Sequence, residues 1–137
     1  MRVIGFNFTK ISIEKLKEIT EVPKVKTEIN IPEIKGVKST ILKTKEEIIE
    51  AKFEYIVNYE PESAKINIEG RALLSVDPKI ARDILKQWKK KKMPEEFRML
   101  LFNVVMRKSA LKALLLEDEL NLPLHTPLPS LRRTKEK

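Results

Sequence analysis

The side chains that could carry acid–base or metal chemistry are few and scattered. The chain has no cysteine and a single histidine, His125. His125 lies among prolines near the C-terminus with no carboxylate or second histidine beside it in sequence, so we expect it to be exposed or at a rim. Without cysteine, a thiolate zinc site and a cysteine nucleophile are excluded. These residues predict neither a catalytic site nor a metal site.

Paired glutamates at 46–47 and 95–96 do not change this interpretation. Adjacent side chains point apart on a strand, and at a helix N-terminus carboxylates stabilise the helix dipole. The three glycines are too dispersed for a G-x-G-x-x-G or P-loop motif. We therefore expect a protein that is not an enzyme and uses no cofactor.

The densest charge is a run of four lysines at 89–92, preceded by Lys79, Arg82 and Lys86. Such a run could contact phosphates. Lysines at a helix C-terminus also stabilise its dipole and terminal carbonyls, and no aromatic residues interleave with them for base stacking. We favour a solvated helix end, so nucleic acid is not the expected partner. A basic nucleic-acid- or ribosome-associated domain is the second interpretation.

Two apolar features could bind a polypeptide. Aromatic residues alternate on one face of a predicted strand, where they form either a core under a helix or the wall of a peptide groove. The segment 122–131 is apolar, and its prolines favour an extended conformation. Such a segment must pack on something, so it either covers its own core or borders an open groove. We predict that unfolded polypeptides contact Phe53, Tyr55, Leu124 and Leu128.

The composition fits one intracellular domain. The chain has 137 residues, a net charge of +8 and an intimate mixture of lysine and glutamate. That mixture is more typical of a thermophile's surface than of a nucleic-acid footprint. No apolar run reaches the roughly 20 residues that span a bilayer, and the N-terminus lacks a signal-peptide pattern. We expect a cytoplasmic protein with one domain at 1–131 and a disordered basic tail at 132–137.

Period-two alternation predicts the strands. Residues 2–13 form the first, in which Ile4, Phe6, Phe8, Ile11 and Ile13 share a face only if a bulge follows Phe8. Residues 24–31 form the second, which Pro32 ends or places at a sheet edge. The clearest pattern is a hairpin that pairs 49–59 with 66–76 around a turn at 60–63. Residues 33–45 are ambiguous.

Two helices follow the strands. Asp77 and Pro78 are typical N-cap and first helical residues, and a second helix is predicted from Pro94 to about 117–119. Its predicted core stripe consists of Phe97, Leu100, Leu101, Val104, Val105, Leu111, Leu114 and Leu115. Surplus apolar residues around this helix predict an oligomer, and they are Leu101, Val104, Val105, Leu115 and Leu116. Strands before helices indicate an α+β fold with helices on one sheet face.

The order of these features resembles the SecB export chaperones. The segments that carry the resemblance are Ile4–Glu14, Pro23–Asn30, the hairpin 53–76 with Ile68-Glu69-Gly70, Pro94–Phe97 with the long helix, and the leucine–proline segments 122–124 and 127–129. Two departures are the basic charge and the absence of most of the second helix of bacterial members. The basic charge argues against docking to a bacterial translocation motor through an acidic sheet surface.

The resemblance implies a four-stranded antiparallel sheet with two helices on one face, assembled as a homo-oligomer, a dimer or a dimer of dimers, through the main helix. It also implies ATP-independent holding of non-native polypeptides in apolar grooves, for instance during export. A third possibility is an antitoxin-associated or purely structural oligomeric module on the same fold.

Overall fold

The computed structural model describes residues 1–38 and 46–128. Its elements are β1 (Arg2–Lys15), β2 (Lys24–Val37), β3 (Glu47–Glu60), β4 (Ala64–Val76), α1 (Pro78–Trp88) and α2 (Glu95–Glu119). The ambiguous segment 33–45 is therefore strand up to Val37, and its part from 39 to 45 lies outside the described residues. The predicted domain boundary at 131 and the tail at 132–137 also lie outside them.

One antiparallel sheet contains the four strands in the order β1-β4-β3-β2. The predicted hairpin of β3 and β4 is confirmed, since its alternate residues from Ile49 to Tyr59 and from Ile66 to Val76 are buried, with Gly70 among them. Both helices follow the sheet in sequence and cover its apolar face. The α+β fold is thereby confirmed. None of the helices within the described residues is long and apolar enough to cross a membrane.

The bulge predicted in β1 is present between Phe8 and Lys10. It restores the parity of the strand, so that Ile11 and Ile13 pair with inward-facing residues of β4. A second register shift lies between Val3 and Gly5 and was not predicted. It leaves Ile4 outside the ladder and 38% exposed, while Val3 takes the place opposite Leu74. The shared face predicted for Ile4 is therefore wrong.

The second strand is an edge of the sheet, as its proline predicts. It does not end at Pro32, however, but continues to Val37. A register shift between Asn30 and Glu33 contains Pro32, which cannot donate a ladder hydrogen bond. The bulge therefore accommodates the proline without ending the strand.

The first helix begins where the sequence predicts, although Asp77 makes no side-chain cap bond. Its C-terminal turn is a Schellman motif in which the Lys91 N–H donates to the Trp88 carbonyl at 2.8 Å and the Lys92 N–H to the Gln87 carbonyl at 3.0 Å. Lys91 has a φ of 58°, a left-handed conformation in which glycine is the usual residue. The lysine run thus forms an exposed turn between the helices.

The core stripe predicted for α2 is correct only in its first half. Phe97, Leu101, Val104 and Val105 are buried, but Leu111 and Leu115 are 61% and 62% exposed and belong to the opposite side. Beyond Val105 the buried positions are Ser109, Ala113 and Glu117. These side chains are small or polar, so hydrophobic periodicity gives no signal for the buried face there.

An aromatic cluster connects β1 and β3. The rings of Phe6 and Phe53 lie 4.9 Å apart between centroids, although their strands are separated by β4. Gly70 in β4 makes this contact possible, because a Cβ at this position would lie 2.5 Å from the Phe53 ring. The glycine therefore leaves the space that the Phe53 ring fills.

Candidate polypeptide-binding site

The structure divides the four predicted contact residues into two pairs. Phe53 and Tyr55 are only 1% and 2% exposed, whereas Leu124 and Leu128 are 38% and 54% exposed. Phe53 is packed in the aromatic cluster with Phe6. A polypeptide can reach Leu124 and Leu128 directly, but it can reach Tyr55 only if the chain above it moves. Their role in binding stays a prediction.

The C-terminal segment does not leave the core after α2. Asn121 has a left-handed φ of 54°, and the Leu122 N–H donates to the Glu117 carbonyl at 2.8 Å, which turns the chain back. The buried residues form two core clusters, the first around Phe53 and the second around Tyr55 and Tyr59. Leu122 is buried in the second core cluster. We call residues 122–128 the C-terminal strap, because they cover this cluster while their outer side chains face solvent.

His125 is buried within the strap, with a side chain only 3% exposed. Its Nδ1 lies 2.8 Å from Glu117 Oε1, and its Nε2 lies 2.8 Å from the Tyr55 hydroxyl. The expectation of an exposed histidine without a carboxylate partner is therefore wrong. The turn at Asn121 brings α2 and β3 against the histidine, and this contact between distant segments has no signature in local sequence.

Glu117 is the centre of this hydrogen-bond network and has no exposed surface. Its carboxylate accepts hydrogen bonds from the Tyr59 hydroxyl, from His125 Nδ1 and from the His125 backbone N–H at 3.2 Å. The Tyr59 hydroxyl also lies against the Pro123 carbonyl. A buried carboxylate needs such donors, because burial removes its hydration. We call Tyr55, Tyr59, Glu117 and His125 the polar latch.

The hydrogen-bond directions in the latch follow from the chemistry of its groups. An ionised carboxylate can only accept, so His125 Nδ1 donates to Glu117 wherever Glu117 carries its charge; the direction of the Nε2–Tyr55 bond depends on the protons of the ring. Burial, together with the smaller effect of the charge on Glu117, raises the pKa of Tyr55 to about 12. Burial also raises the pKa of Tyr59, with the hydrogen bond to Glu117 and its charge adding to the effect. Both tyrosines therefore retain their protons at neutral pH.

The geometry of the latch suits holding a chain segment better than catalysis. Every polar atom of the histidine ring and of the carboxylate has a partner within the protein. Across residues 1–38 and 46–128, no three Asp, Glu or His side chains converge as metal ligands would. The polar atoms of the latch form hydrogen bonds that hold the strap against α2 and β3.

A second apolar surface lies between β1 and α2. The open edge of β1 and the middle of α2 border a groove of about 850 Å³. It is lined by Val3, Ile4, Gly5, Phe6, Leu100, Asn103, Val104, Met106, Arg107 and Lys108. An extended segment in this groove would meet apolar side chains together with the unpaired backbone groups of an edge strand.

The exposed side of α2 carries four large apolar side chains among charged and polar ones. Met99, Met106, Leu111 and Leu115 are between 47% and 62% exposed. The sequence-based oligomer prediction named Leu101, Val104 and Val105, which are instead buried within the protomer. The apolar surplus therefore exists, but different residues provide most of it.

Positive charge is concentrated at α1 and the turn that follows it. Residues 79–92 contain seven cations and one carboxylate, Asp83. In the sheet, by contrast, lysine and arginine alternate with glutamates, and three of the cations form ion pairs, in the contacts Lys26–Glu60, Lys52–Glu33 and Arg71–Glu50. The mixture of lysine and glutamate in the sequence is thus a property of the sheet and not of this helix end.

No protein-family model and no curated protein matches this chain. The fold is similar to that of the Mycobacterium tuberculosis SecB-like chaperone Rv1957, solved in complex with a ChAD peptide from the Rv1956 HigA1 antitoxin. The two chains are 14% identical, with 98% of this chain and 92% of that chain covered and a TM-score of 0.55. At this identity the similarity establishes the architecture alone. The chain therefore has a SecB-like α+β fold.

Proposed function

We propose that this protein is an ATP-independent holding chaperone that binds non-native polypeptides in the cytoplasm, for instance on their way to export. The observation that carries the proposal is the SecB-like fold, which extends over 98% of the chain. Exposed apolar residues on the strap and on α2 support it, because surface of this kind is where a soluble domain binds other chains.

The proposed mechanism is binding by mass action. A chaperone that binds an unfolded chain lowers its free concentration, and this slows aggregation without an energy source. Extended clients would bond through their main chain to an open strand edge and place alternate side chains on apolar surface. Leu124 and Leu128 are the proposed contacts on the strap, and the groove between β1 and α2 offers a second surface.

Oligomerisation is part of this proposal. The exposed apolar side chains of α2 would be buried between copies of the chain, in a dimer or a tetramer. Glu117 lies on the buried side of α2 and not among these exposed side chains, so the proposed interface does not require the latch to open.

The deciding experiment measures light scattering by several thermally or chemically unfolded proteins, with the purified protein present at increasing molar ratio. We expect suppression that is stoichiometric and unchanged by added ATP or by its removal with apyrase. Serum albumin at equal mass is the control for nonspecific crowding. Failure to suppress aggregation of any of the substrates would contradict the proposal, and dependence on ATP would contradict its mechanism.

A second function is favoured by one observation, the concentration of seven cations in residues 79–92. A nucleic-acid- or ribosome-associated domain would bind RNA more weakly as salt rises, because each phosphate contact releases counterions. Replacing the four lysines at 89–92 by glutamine should then abolish RNA binding without affecting aggregation suppression. If the protein shows submicromolar RNA binding at physiological salt and no holding activity, this second function replaces the first.

A further inference from the structure

The strap is held by five groups, two of them side chains and three of them main-chain groups. The side chains are Leu122, which is buried in the second core cluster, and His125, whose ring lies between Tyr55 and Glu117. The main-chain groups are the Leu122 N–H, which donates to the Glu117 carbonyl, the Pro123 carbonyl, beside the Tyr59 hydroxyl, and the His125 N–H, which donates to the Glu117 carboxylate. The side chains of Pro123, Leu124, Pro127 and Leu128 face solvent.

This arrangement matches the way in which a receptor binds an extended peptide. In such complexes main-chain hydrogen bonds hold any sequence, while pockets for spaced side chains select among sequences. The strap has no regular secondary structure, bends at residues 125–126, is rich in proline and is anchored through two side chains three residues apart. Its receptor surface is built from residues of β3 and α2 that precede it in the chain.

A structural closure alone does not require the charge of Glu117. Apolar residues of similar volume often replace buried ionic groups at no cost to stability, whereas a buried carboxylate that loses its partners is strongly destabilising. If the strap lifts away, Glu117 keeps only the Tyr59 hydroxyl, and the Tyr55 hydroxyl has no partner from the strap. The uncovered surface therefore favours an occupant that brings a hydrogen-bond donor or a cation to the same place.

We infer that the C-terminal strap is an internal ligand seated in a peptide-binding site of the protein, and that Glu117 makes this site selective. The ligand class is an extended segment in which a histidine, lysine or arginine follows a leucine-like residue by three positions. Such a segment competes with the strap. The competition regulates access to Tyr55 and to the core cluster beneath it. The claim that client polypeptides compete with the strap rests on the proposed holding function. The existence of the site does not depend on that function.

The test uses a fluorescent peptide with the sequence of residues 121–128 and a matched peptide with alanine at the histidine position. The receptor is the full-length His125→Ala protein, in which the strap lacks its anchoring ring. Anisotropy should show the histidine peptide binding at least about 10-fold more tightly than the alanine peptide, as expected for a hydrogen bond to a buried charge. The preference should disappear in the His125→Ala/Glu117→Met double variant. Circular dichroism checks the fold of both variants.

Wild-type protein provides an independent measurement should the variants fail to fold. A large excess of the histidine peptide should accelerate hydrogen exchange at the strap amides, and the alanine peptide should not. Equal binding of the two peptides to folded His125→Ala protein, or no binding of either, would overturn the inference. An unchanged exchange rate in the wild type would overturn it also.

Neither measurement uses an aggregating client, so the two proposals can fail separately. Peptide binding without suppression of aggregation would refute the holding function and leave the site standing. Suppression of aggregation without a preference for the histidine peptide would refute the site and leave the holding function standing.

Discussion

The substitution His125→Ala removes the imidazole ring of the polar latch and leaves Glu117, the centre of the latch, buried. The carboxylate then keeps the Tyr59 hydroxyl and the backbone N–H of residue 125 but loses its 2.8 Å bond to Nδ1. Tyr55 loses its 2.8 Å partner at the same time. We therefore expect a marked loss of stability from a single substitution in a segment that follows the last helix.

The size of the loss can be worked from these contacts. A hydrogen bond to a charged group contributes about 1.5–3 kcal/mol, and a buried hydroxyl left without a partner costs about 1 kcal/mol or more. Water that enters the space of the ring recovers part of this, because the strap lies at the surface. The expected decrease in the free energy of unfolding is about 2–4 kcal/mol, a large fraction of the stability of a small domain.

Urea denaturation followed by circular dichroism measures this decrease. The matched control is Leu124→Ala, one residue earlier in the strap, where the side chain is 38% exposed and the loss should stay below about 0.5 kcal/mol. Tyr55→Phe completes a double-mutant cycle, in which its cost should shrink once the imidazole is absent. A decrease below about 1 kcal/mol for His125→Ala, or one equal to that of Leu124→Ala, would refute our account of the latch.

Three further predictions concern other parts of the molecule. Gly70→Ala should lower stability by about 1–3 kcal/mol in the same assay, because its Cβ would strike the Phe53 ring and the Asn7 carbonyl. Gly36→Ala is the control, since its Cβ would make only an ordinary van der Waals contact with the Leu85 side chain at 3.6 Å. The pKa of Tyr55 is about 10 in the unfolded chain and about 12 in the folded protein, so its contribution to the free energy of unfolding is complete below pH 10 and falls by about 2–3 kcal/mol as the pH rises toward 12. Tyr55→Phe should flatten that part of a plot of urea midpoint against pH, and an unchanged slope would argue against the shift. Leu111→Gln combined with Leu115→Gln should reduce the mass measured by light scattering without lowering helicity, since both side chains are about 60% exposed; a monomeric parent protein would contradict the oligomer.

Much of the fold is predictable because strand alternation reports burial directly. The pattern from Ile49 to Val76 indicates the hairpin, and the parity change after Phe8 indicates a bulge in β1. The second bulge gives no such signal, because Val3 and Ile4 are both apolar and either could occupy the ladder. The buried face of the later part of α2 is similarly hidden, since Ser109 and Glu117 occupy it in place of leucines.

The candidate site could be predicted only in part. The apolar, proline-rich composition of the strap indicates that it packs on something, and two of its leucines are exposed as a binding rim requires. The latch could not be inferred, because it joins residues that are 70 and 58 positions apart through the left-handed turn at Asn121. Glu117 stands in an acidic run and His125 stands between prolines, so both look like surface residues until that turn is known.

The unequal edges of the sheet limit how copies of this chain can associate through strands. β2 contains Pro32 within a bulge, whereas β1 has bulges but no proline between Arg2 and Lys15. If two copies pair through β1 about a twofold axis, each uses the edge strand without a proline and presents the strand with the proline to the outside. Growth by head-to-tail addition of further strands is then blocked, so such an assembly closes at two copies and does not extend into a fibre.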